Sequence, residues 1–194
     1  MNNIIYLTVL FLIIVYSSFS QILYKLDITI DVKNHTINGK AVIENSSSEN
    51  IHIFAQGFNT DIKKSVIEKG ETVSFSFTKR FPSYSANNMV GEDYVYLMNN
   101  WYPGINKLAV YKLNVKLPEN FLAVSEGNLV SGKNGKFSFD TVYPVEEIHL
   151  IASPDYVVNT KKLGDIQIKT YLFKKRQKSV RNIYKKGIRA YISL

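Results

Sequence analysis

The 194-residue sequence contains no cysteine. Disulfide bonds and thiolate metal sites are therefore excluded, and a folded domain must take its stability from a hydrophobic core. Proline is scarce with five residues, and tryptophan occurs once. A chain of this length is nevertheless long enough for one domain with a sizeable core.

The sequence also lacks the common motifs of hydrolases. None of its three histidines (His35, His52 and His149) lies in H-E-x-x-H, and G-x-S-x-G does not occur. The run 127–134 nearly matches the phosphate-binding motif G-x-x-x-x-G-K-[ST], but it ends in Asn134 and continues as a strand-like segment, which indicates a hairpin turn. We therefore assign no catalytic or metal-ligating residue here, and leave open whether the chain belongs to an enzyme.

The first 20 residues carry no charged side chain, and residues 4–16 are almost wholly apolar. This run is shorter than the roughly 20 apolar residues of a membrane span, and it is typical of a secretory signal peptide. Small residues at Ser18 and Ser20 predict cleavage before Gln21. We expect export to a periplasm, the extracellular space or the cell surface. An uncleaved membrane anchor is the alternative, because the amino terminus is the only positive charge ahead of the apolar run.

The net charge of +8 is concentrated near the C-terminus. Residues 161–194 hold eleven Lys and Arg against one acid, Asp165, so the preceding body is close to neutral. A basic block of this kind can contact nucleic acid or an anionic membrane. The secretion signal and the near-neutral body argue against nucleic acid. We therefore expect no nucleic-acid partner, and membrane contact only through the signal or anchor segment.

Short alternating segments dominate the middle of the chain. Apolar and polar residues alternate over 22–33 and over Leu108 to Pro118, as in half-buried strands. Asn38-Gly39 predicts a hairpin turn, and Lys79 to Asp93 predicts a long surface connection. About ten such strands with few helix signals predict an all-β domain over 21–173, an antiparallel β-sandwich or saddle.

The apolar period changes after residue 173. Six apolar residues then fall on one face of a helix, with Lys and Arg on the other: Val180, Ile183, Tyr184, Ile188, Tyr191 and Leu194. This pattern predicts a basic amphipathic helix over 174–194. The segment has no C-cap glycine or terminal proline, so we expect the sequence to have been cut before its next domain.

The segment Asn99–Gly104 is the most distinctive stretch, because it holds the only tryptophan, followed by Tyr102, Pro103 and Gly104. Two large aromatic side chains followed by a strand-ending proline and a flexible glycine predict an aromatic corner between strands. From these residues alone, Trp101 is a core residue beside a turn.

Several short motifs, in this order and spacing, resemble the N-terminal β-saddle domain of the zinc aminopeptidases of peptidase family M1, the gluzincins. They are Tyr24-Lys25-Leu26-Asp27-Ile28, Ile37-Asn38-Gly39-Lys40, Trp101-Tyr102-Pro103, 111–118, 124–127 and 151–156. The resemblance covers residues 22–173, and 174–194 is similar to the first helix that leads into the catalytic domain of that family.

The resemblance implies a non-catalytic domain of an exported metallopeptidase-like protein. In that family zinc is bound by H-E-x-x-H, and the peptide's amino group by G-x-M-E-N, both in the following domain. We therefore expect no cofactor in this chain, and as partners the catalytic domain or a peptide substrate. Trp101, Tyr102 and Pro103 would shape the interface with the catalytic domain.

Two asparagines are the remaining candidates for a substrate-proximal role. Many family members place a Gln of the β domain near the substrate's amino terminus. No Gln lies between Asn87 and Lys107, where Asn99 and Asn100 are the nearest polar groups. The alternative function is a stand-alone secreted β-sandwich module that binds a peptide, a carbohydrate or a cell-surface partner.

Overall fold

The computed structural model describes residues 21–85 and 87–174. These residues form an all-β fold, which confirms the predicted fold class. The strands are β1 (Ile22–Asp31), β2 (Thr36–Asn45), β3 (Ile51–Phe54), β4 (Asn59–Thr60), β5 (Val66–Ile67), β6 (Thr72–Arg80), β7 (Asn88–Val90), β8 (Val95–Leu97), β9 (Gly104–Ile105), β10 (Val110–Lys116), β11 (Leu122–Ser125), β12 (Asn128–Lys133), β13 (Lys136–Asp140), β14 (Leu150–Ser153), β15 (Tyr156–Leu163) and β16 (Ile166–Phe173).

The largest sheet has seven strands in the order β12-β13-β10-β1-β2-β6-β4. Its centre is β1, which pairs antiparallel with β2 and parallel with β10, Leu26 lying beside Leu113. The parallel pair departs from the purely antiparallel sheet that we expected. The chain enters β10 after a long connection, which is what a parallel neighbour requires.

The alternation in β1 has the predicted consequence. Tyr24, Leu26 and Ile28 are buried, whereas Asp27 and Thr29 are exposed. Because successive side chains of a strand point to opposite faces, one face of the sheet covers the core and the other meets water. The same pattern holds in β10, so the two strands that carry the clearest sequence signals lie side by side.

A second sheet has four strands in the order β11-β14-β8-β7. Its inner residues, among them Val95, Leu97 and Leu150, are buried in the same hydrophobic core as the large sheet. A small sheet has the order β5-β3-β9, and β15 pairs with β16 as a separate antiparallel hairpin.

Three local predictions differ from the structure. Asn38-Gly39 lies inside β2, and the turn that precedes β2 contains His35, whose φ is 56°. The predicted surface connection Lys79 to Asp93 contains strand β7. A hairpin does occur where 127–134 predicted one, but residues 128–133 form its first strand, β12, and the turn lies at Asn134 and Gly135. This position in β2 requires glycine because a Cβ atom there would lie 2.2 Å from the Phe77 ring of neighbouring β6. Glycine makes room for that ring.

The predicted signal peptide over 1–20 lies outside the described residues. So does the predicted helix, except for its first residue, Lys174. Within 21–85 and 87–174, no helix is long and apolar enough to cross a membrane.

Candidate functional site

The aromatic corner is built from two consecutive residues and two strand residues. Trp101 and Tyr102 follow β8 and are buried, their ring centroids 4.8 Å apart in an edge arrangement. Tyr102 also lies edge-on to Tyr24 of β1 and Tyr111 of β10, at 5.6 and 5.9 Å. Tyr24 and Tyr111 stack at 5.3 Å because they are register partners in the parallel pair. The corner therefore joins the chain after β8 to the centre of the large sheet.

Hydrogen bonds fix the backbone on both sides of this cluster. The Trp101 Nε1–H donates to the Ile148 carbonyl oxygen at 2.7 Å, and the Ile148 N–H donates to the Tyr102 hydroxyl at 3.0 Å. The Tyr24 hydroxyl donates to the Pro103 carbonyl oxygen at 2.5 Å. Each polar atom of the buried rings is thus satisfied, as buried polar groups require. The segment 101–103 is held against the start of β14.

Burial also keeps these phenols neutral. It raises the pKa of Tyr24 and of Tyr102 well above the ordinary value of 10.0, and the neighbouring Tyr111 contributes in the same direction to both. Burial raises the pKa of Tyr111 to about 12. The three rings are therefore structural hydrogen-bonding groups at neutral pH and not proton donors for chemistry.

The asparagines before the corner are exposed, but their backbone is fixed. The Asn99 carbonyl oxygen accepts a hydrogen bond from Asn88 Nδ2, and the Asn100 carbonyl oxygen accepts one from Lys79 Nζ, both at 2.6 Å. Asn100 has a φ of 50°, a left-handed conformation that asparagine tolerates better than most residues. Lys79 lies over the Phe58 ring at 4.3 Å, and partial burial lowers its pKa. Both asparagine side chains therefore project from a loop whose backbone is fixed by these two hydrogen bonds.

Asn99 lies beside a carboxylate at the end of the four-stranded sheet. In the amide orientation that gives both of its polar atoms suitable partners, the Asn99 carboxamide nitrogen donates to Glu147 Oε1 at 3.0 Å. The same Glu147 oxygen lies 3.4 Å from His149 Nε2. On the other side of the imidazole, His149 Nδ1 contacts Glu126, whose second carboxylate oxygen accepts the His149 backbone N–H at 2.5 Å. We call Asn99, Glu126, Glu147 and His149 the polar rim.

The register of the sheet explains why the polar rim forms. Leu150 of β14 pairs with Leu97 of β8 on one side and with Ser125 of β11 on the other. The residues just beyond these three positions therefore lie next to one another at the same end of the sheet. Two carboxylates and a carboxamide oxygen in such a row can bind a cationic group such as an ammonium.

Of the residues in the polar rim, only Asn99 was a candidate from the sequence, whereas Glu126, Glu147 and His149 were not. The only available signal was the polar run 146–149, which does not match a known motif. Within the described ranges, no group of three or more His, Cys, Asp or Glu side chains is placed to hold a metal ion. Trp101, Tyr102 and Pro103 are buried inside this domain, and their predicted role at a domain interface stays a prediction, as does the role of Asn99 and Asn100 near a substrate.

Comparisons with known proteins identify a solved structure with a similar fold. The sequence matches no protein-family model. No curated protein matches it either. The structure is similar to a solved structure of yeast LTA4 hydrolase in complex with bestatin, with a TM-score of 0.56 and 12% sequence identity. The match covers 92% of this chain and 35% of that chain. The expected resemblance to a zinc aminopeptidase is thereby confirmed at the level of the fold, and the chain spans about a third of the similar protein's length.

Proposed function

We propose that this chain is the non-catalytic N-terminal β domain of an exported, zinc aminopeptidase-like protein. In that role it braces a catalytic domain and forms one side of the peptide cleft. The supporting observation is the fold shared with LTA4 hydrolase, in which the matching part is only 35% of the chain. A domain that occupies a third of such a protein leaves the remainder for catalysis.

The described residues of this chain do not fit a zinc site. The sequence contains no H-E-x-x-H, and the described residues offer no cluster of three metal ligands. Tetrahedral zinc sites in enzymes use three protein ligands and keep a fourth position for water or substrate. The domain's contribution is therefore to positioning and substrate binding.

The polar rim is the surface that we assign to the peptide cleft. An aminopeptidase substrate carries a terminal ammonium, and the rim presents the carboxylates of Glu126 and Glu147 together with the Asn99 carboxamide. Charge-assisted hydrogen bonds of this kind are stronger than neutral ones. The aromatic corner fixes the loop that carries Asn99, so the carboxamide is held in place before a substrate arrives.

Export through residues 1–20 belongs to the same proposal. Its support is the uncharged, apolar run at the N-terminus, which is typical of a secretory signal peptide. Mass spectrometry of the protein recovered outside the cytoplasm would test this part. A mature N-terminus at Gln21 is the expected result, and retention in the cytoplasm of an intact Met1 would contradict it.

Because the proposal assigns catalysis to another domain, it predicts that the isolated chain has no peptidase activity. The purified 194-residue protein is incubated with added zinc and aminoacyl substrates, and zinc binding is measured by calorimetry. We expect neither hydrolysis above a heat-denatured control nor stoichiometric zinc. Hydrolysis that co-purifies with the folded chain and is lost on chelation would overturn the proposal, because the chain would then contain its own catalytic centre.

A further inference from the structure

Within the polar rim, His149 lies between the two carboxylates. Its Nδ1 contacts Glu126, and its Nε2 lies 3.4 Å from Glu147 Oε1. Over 21–85 and 87–174, neither carboxylate forms an ion pair with a lysine or an arginine. The charge of the imidazole therefore decides how much negative charge these two side chains leave for a ligand.

The two contacts of the imidazole indicate its protonation state. A neutral imidazole carries one N–H and a lone pair on its other nitrogen, whereas an ionised carboxylate offers acceptors only. A neutral His149 ring would therefore turn a lone pair toward one of the two glutamates. The imidazolium presents an N–H to both, so the arrangement fits protonated His149. Two carboxylates and an imidazolium carry a net charge of −1, and with a neutral ring the same three groups carry −2.

The backbone of His149 is held independently of this charge. Its N–H donates to Glu126 Oε2 at 2.5 Å, and its carbonyl oxygen accepts a hydrogen bond from the Ser125 hydroxyl at 2.6 Å. The preceding residue, Ile148, is held in turn by the Trp101 indole. The imidazole is thus tied to this end of the sheet whether or not it is protonated.

Glu147 is the more adaptable of the two carboxylates. Its side chain is 42% exposed, and among the described residues no backbone N–H donates to it. In the amide orientation described above, the Asn99 carboxamide donates to the same Oε1 that faces His149 Nε2. A ligand ammonium that binds Glu147 must therefore compete with the imidazolium for this oxygen.

We propose that His149 is an internal competitor of a cationic ligand at the polar rim. When protonated, it occupies the Glu147 oxygen. When neutral, it leaves Glu147 and the Asn99 carboxamide to the ammonium of the ligand. This role rests on the proposed function, because the ligand is the amino terminus of a peptide. His149 is thus a positioning residue, which acts on the ligand through Glu147.

Binding at the polar rim should strengthen as the pH rises from about 5.5 to about 7.0. Histidine side chains ordinarily change charge between about pH 5 and 8, whereas an α-amino group ordinarily does so at about 7.7–8.0. The peptide therefore keeps its ammonium over most of the interval in which histidine loses its proton. Carboxylic acids such as Glu126, Glu146 and Glu147 ordinarily titrate near about pH 4. Burial, followed by the charges of Glu147 and Glu146, raises the pKa of neighbouring Tyr111 to about 12, so this phenol stays neutral.

NMR spectroscopy of the full 194-residue chain tests the competition without any ligand. Because the Asn99 carboxamide donates to the Glu147 oxygen that faces His149, its side-chain signals report on that oxygen. We expect these signals to shift between about pH 5.5 and about pH 8, with the same midpoint as the ring signals of His149. His149→Gln is expected to lose the shift. His52→Gln, at an exposed histidine of β3, is the matched control that retains it.

Two results of this titration overturn the role of His149. One is a set of Asn99 signals that stay constant in the unmodified chain, and the other is an equal shift in His149→Gln. Glu147→Gln provides a second variant, which leaves the imidazole and its backbone contacts in place. It is also expected to lose the shift, and a full shift in this variant would contradict the role of His149, because the signals would then respond to another group.

Titration with alanine amide tests the competition with a ligand. This probe carries an α-ammonium and no carboxylate. We expect its dissociation constant to be about two- to fivefold lower at about pH 7.0 than at about pH 5.5, as for one partly exposed charge pair. In His149→Gln the two constants are expected to agree, because glutamine is neutral at both pH values.

The result also separates the role of His149 from the proposed function. Binding that does not vary with pH, or that weakens as the pH rises, contradicts the role of His149 but supports an ammonium ligand at the rim. If alanine amide does not bind the unmodified chain at either pH, the ammonium ligand itself is contradicted, and the competition with it.

Discussion

Trp101 and Ile148 are joined by a 2.7 Å hydrogen bond from the indole Nε1–H to the carbonyl oxygen across 47 residues of sequence, and the indole is fully buried. This bond holds the loop after β8 against the start of β14. It therefore sets the distance between Asn99, just before the tryptophan, and Glu147, just before the isoleucine. The aromatic corner is the structural support of the polar rim.

Replacing Trp101 by Phe tests this support. The variant loses the indole hydrogen bond, leaves the Ile148 carbonyl oxygen without its partner and opens space in the core. We expect the free energy of unfolding to fall by about 2–4 kcal/mol, measured by urea titration of circular dichroism. The control is Tyr143→Phe at a largely exposed position, which is expected to change stability by less than about 0.5 kcal/mol. Equal effects of both variants would refute the assigned role of Trp101.

Gly39 makes a second prediction, because it lies opposite Phe77 in the β2–β6 pair. Gly39→Ala places a methyl group 2.2 Å from the Phe77 ring, which is itself buried and edge-on to Phe58 at 5.6 Å. The ring cannot move freely, so we expect a loss of about 1–3 kcal/mol in thermal or urea unfolding.

Gly104→Ala is the matched control for Gly39→Ala. No atom lies within 4 Å of its added Cβ, and its backbone is not left-handed. A loss of stability in Gly104→Ala as large as in Gly39→Ala would show that the ring contact is not the cause.

The buried tyrosines predict that the folded protein loses stability steeply at alkaline pH. Burial raises the folded-state pKa of Tyr24 and Tyr102 above the ordinary 10.0, so the neutral phenols contribute stability that is fully present below pH 10.0 and lost as the pH rises through the folded values. We expect unfolding and the ionisation of these rings to occur together above about pH 10. Tyrosinate absorbance and circular dichroism, recorded on one sample, measure both.

Tyr102→Phe is the informative variant for this alkaline loss of stability. It keeps a ring in the corner but removes one ionisable group, so the loss of stability between neutral pH and alkaline pH should be smaller than in the unmodified chain. An identical pH dependence in the two proteins would show that Tyr102 does not contribute to alkaline unfolding.

The polar rim predicts unequal roles for its two carboxylates. Glu126 accepts the His149 backbone N–H and contacts the imidazole, so Glu126→Ala leaves a half-buried donor to find water and is expected to cost about 1–2 kcal/mol. Glu147 has no backbone partner in the described residues, and Glu147→Ala should cost less than about 0.5 kcal/mol. The reverse order in chemical unfolding would contradict this description of the rim.

The sequence predicts those parts of the fold in which burial alternates. β1 and β10 were predicted because Tyr24, Leu26 and Val115 face a core while Asp27 and Lys116 do not. β12 was not predicted as a strand, since all six of its residues are exposed and carry no alternation. The β15 strand was missed for the same reason, because it belongs to a hairpin with largely exposed faces.

The polar rim could not be predicted because it depends on register. Glu126, Glu147 and Asn99 come from three strand ends that are distant in sequence, and only the pairing of β8, β14 and β11 makes them neighbours. Asn38-Gly39 shows the opposite case. A strong local turn signal was overridden because the Phe77 ring needs a residue without a side chain beside it.

The most direct test of the central claim, that this chain is the β domain of a zinc aminopeptidase-like protein, is the genomic DNA sequence beyond the Leu194 codon. We expect an open frame that encodes G-x-M-E-N followed by H-E-x-x-H. A stop codon directly after Leu194, or a frame that continues without either motif, would contradict the claim and leave a β domain that functions by binding alone.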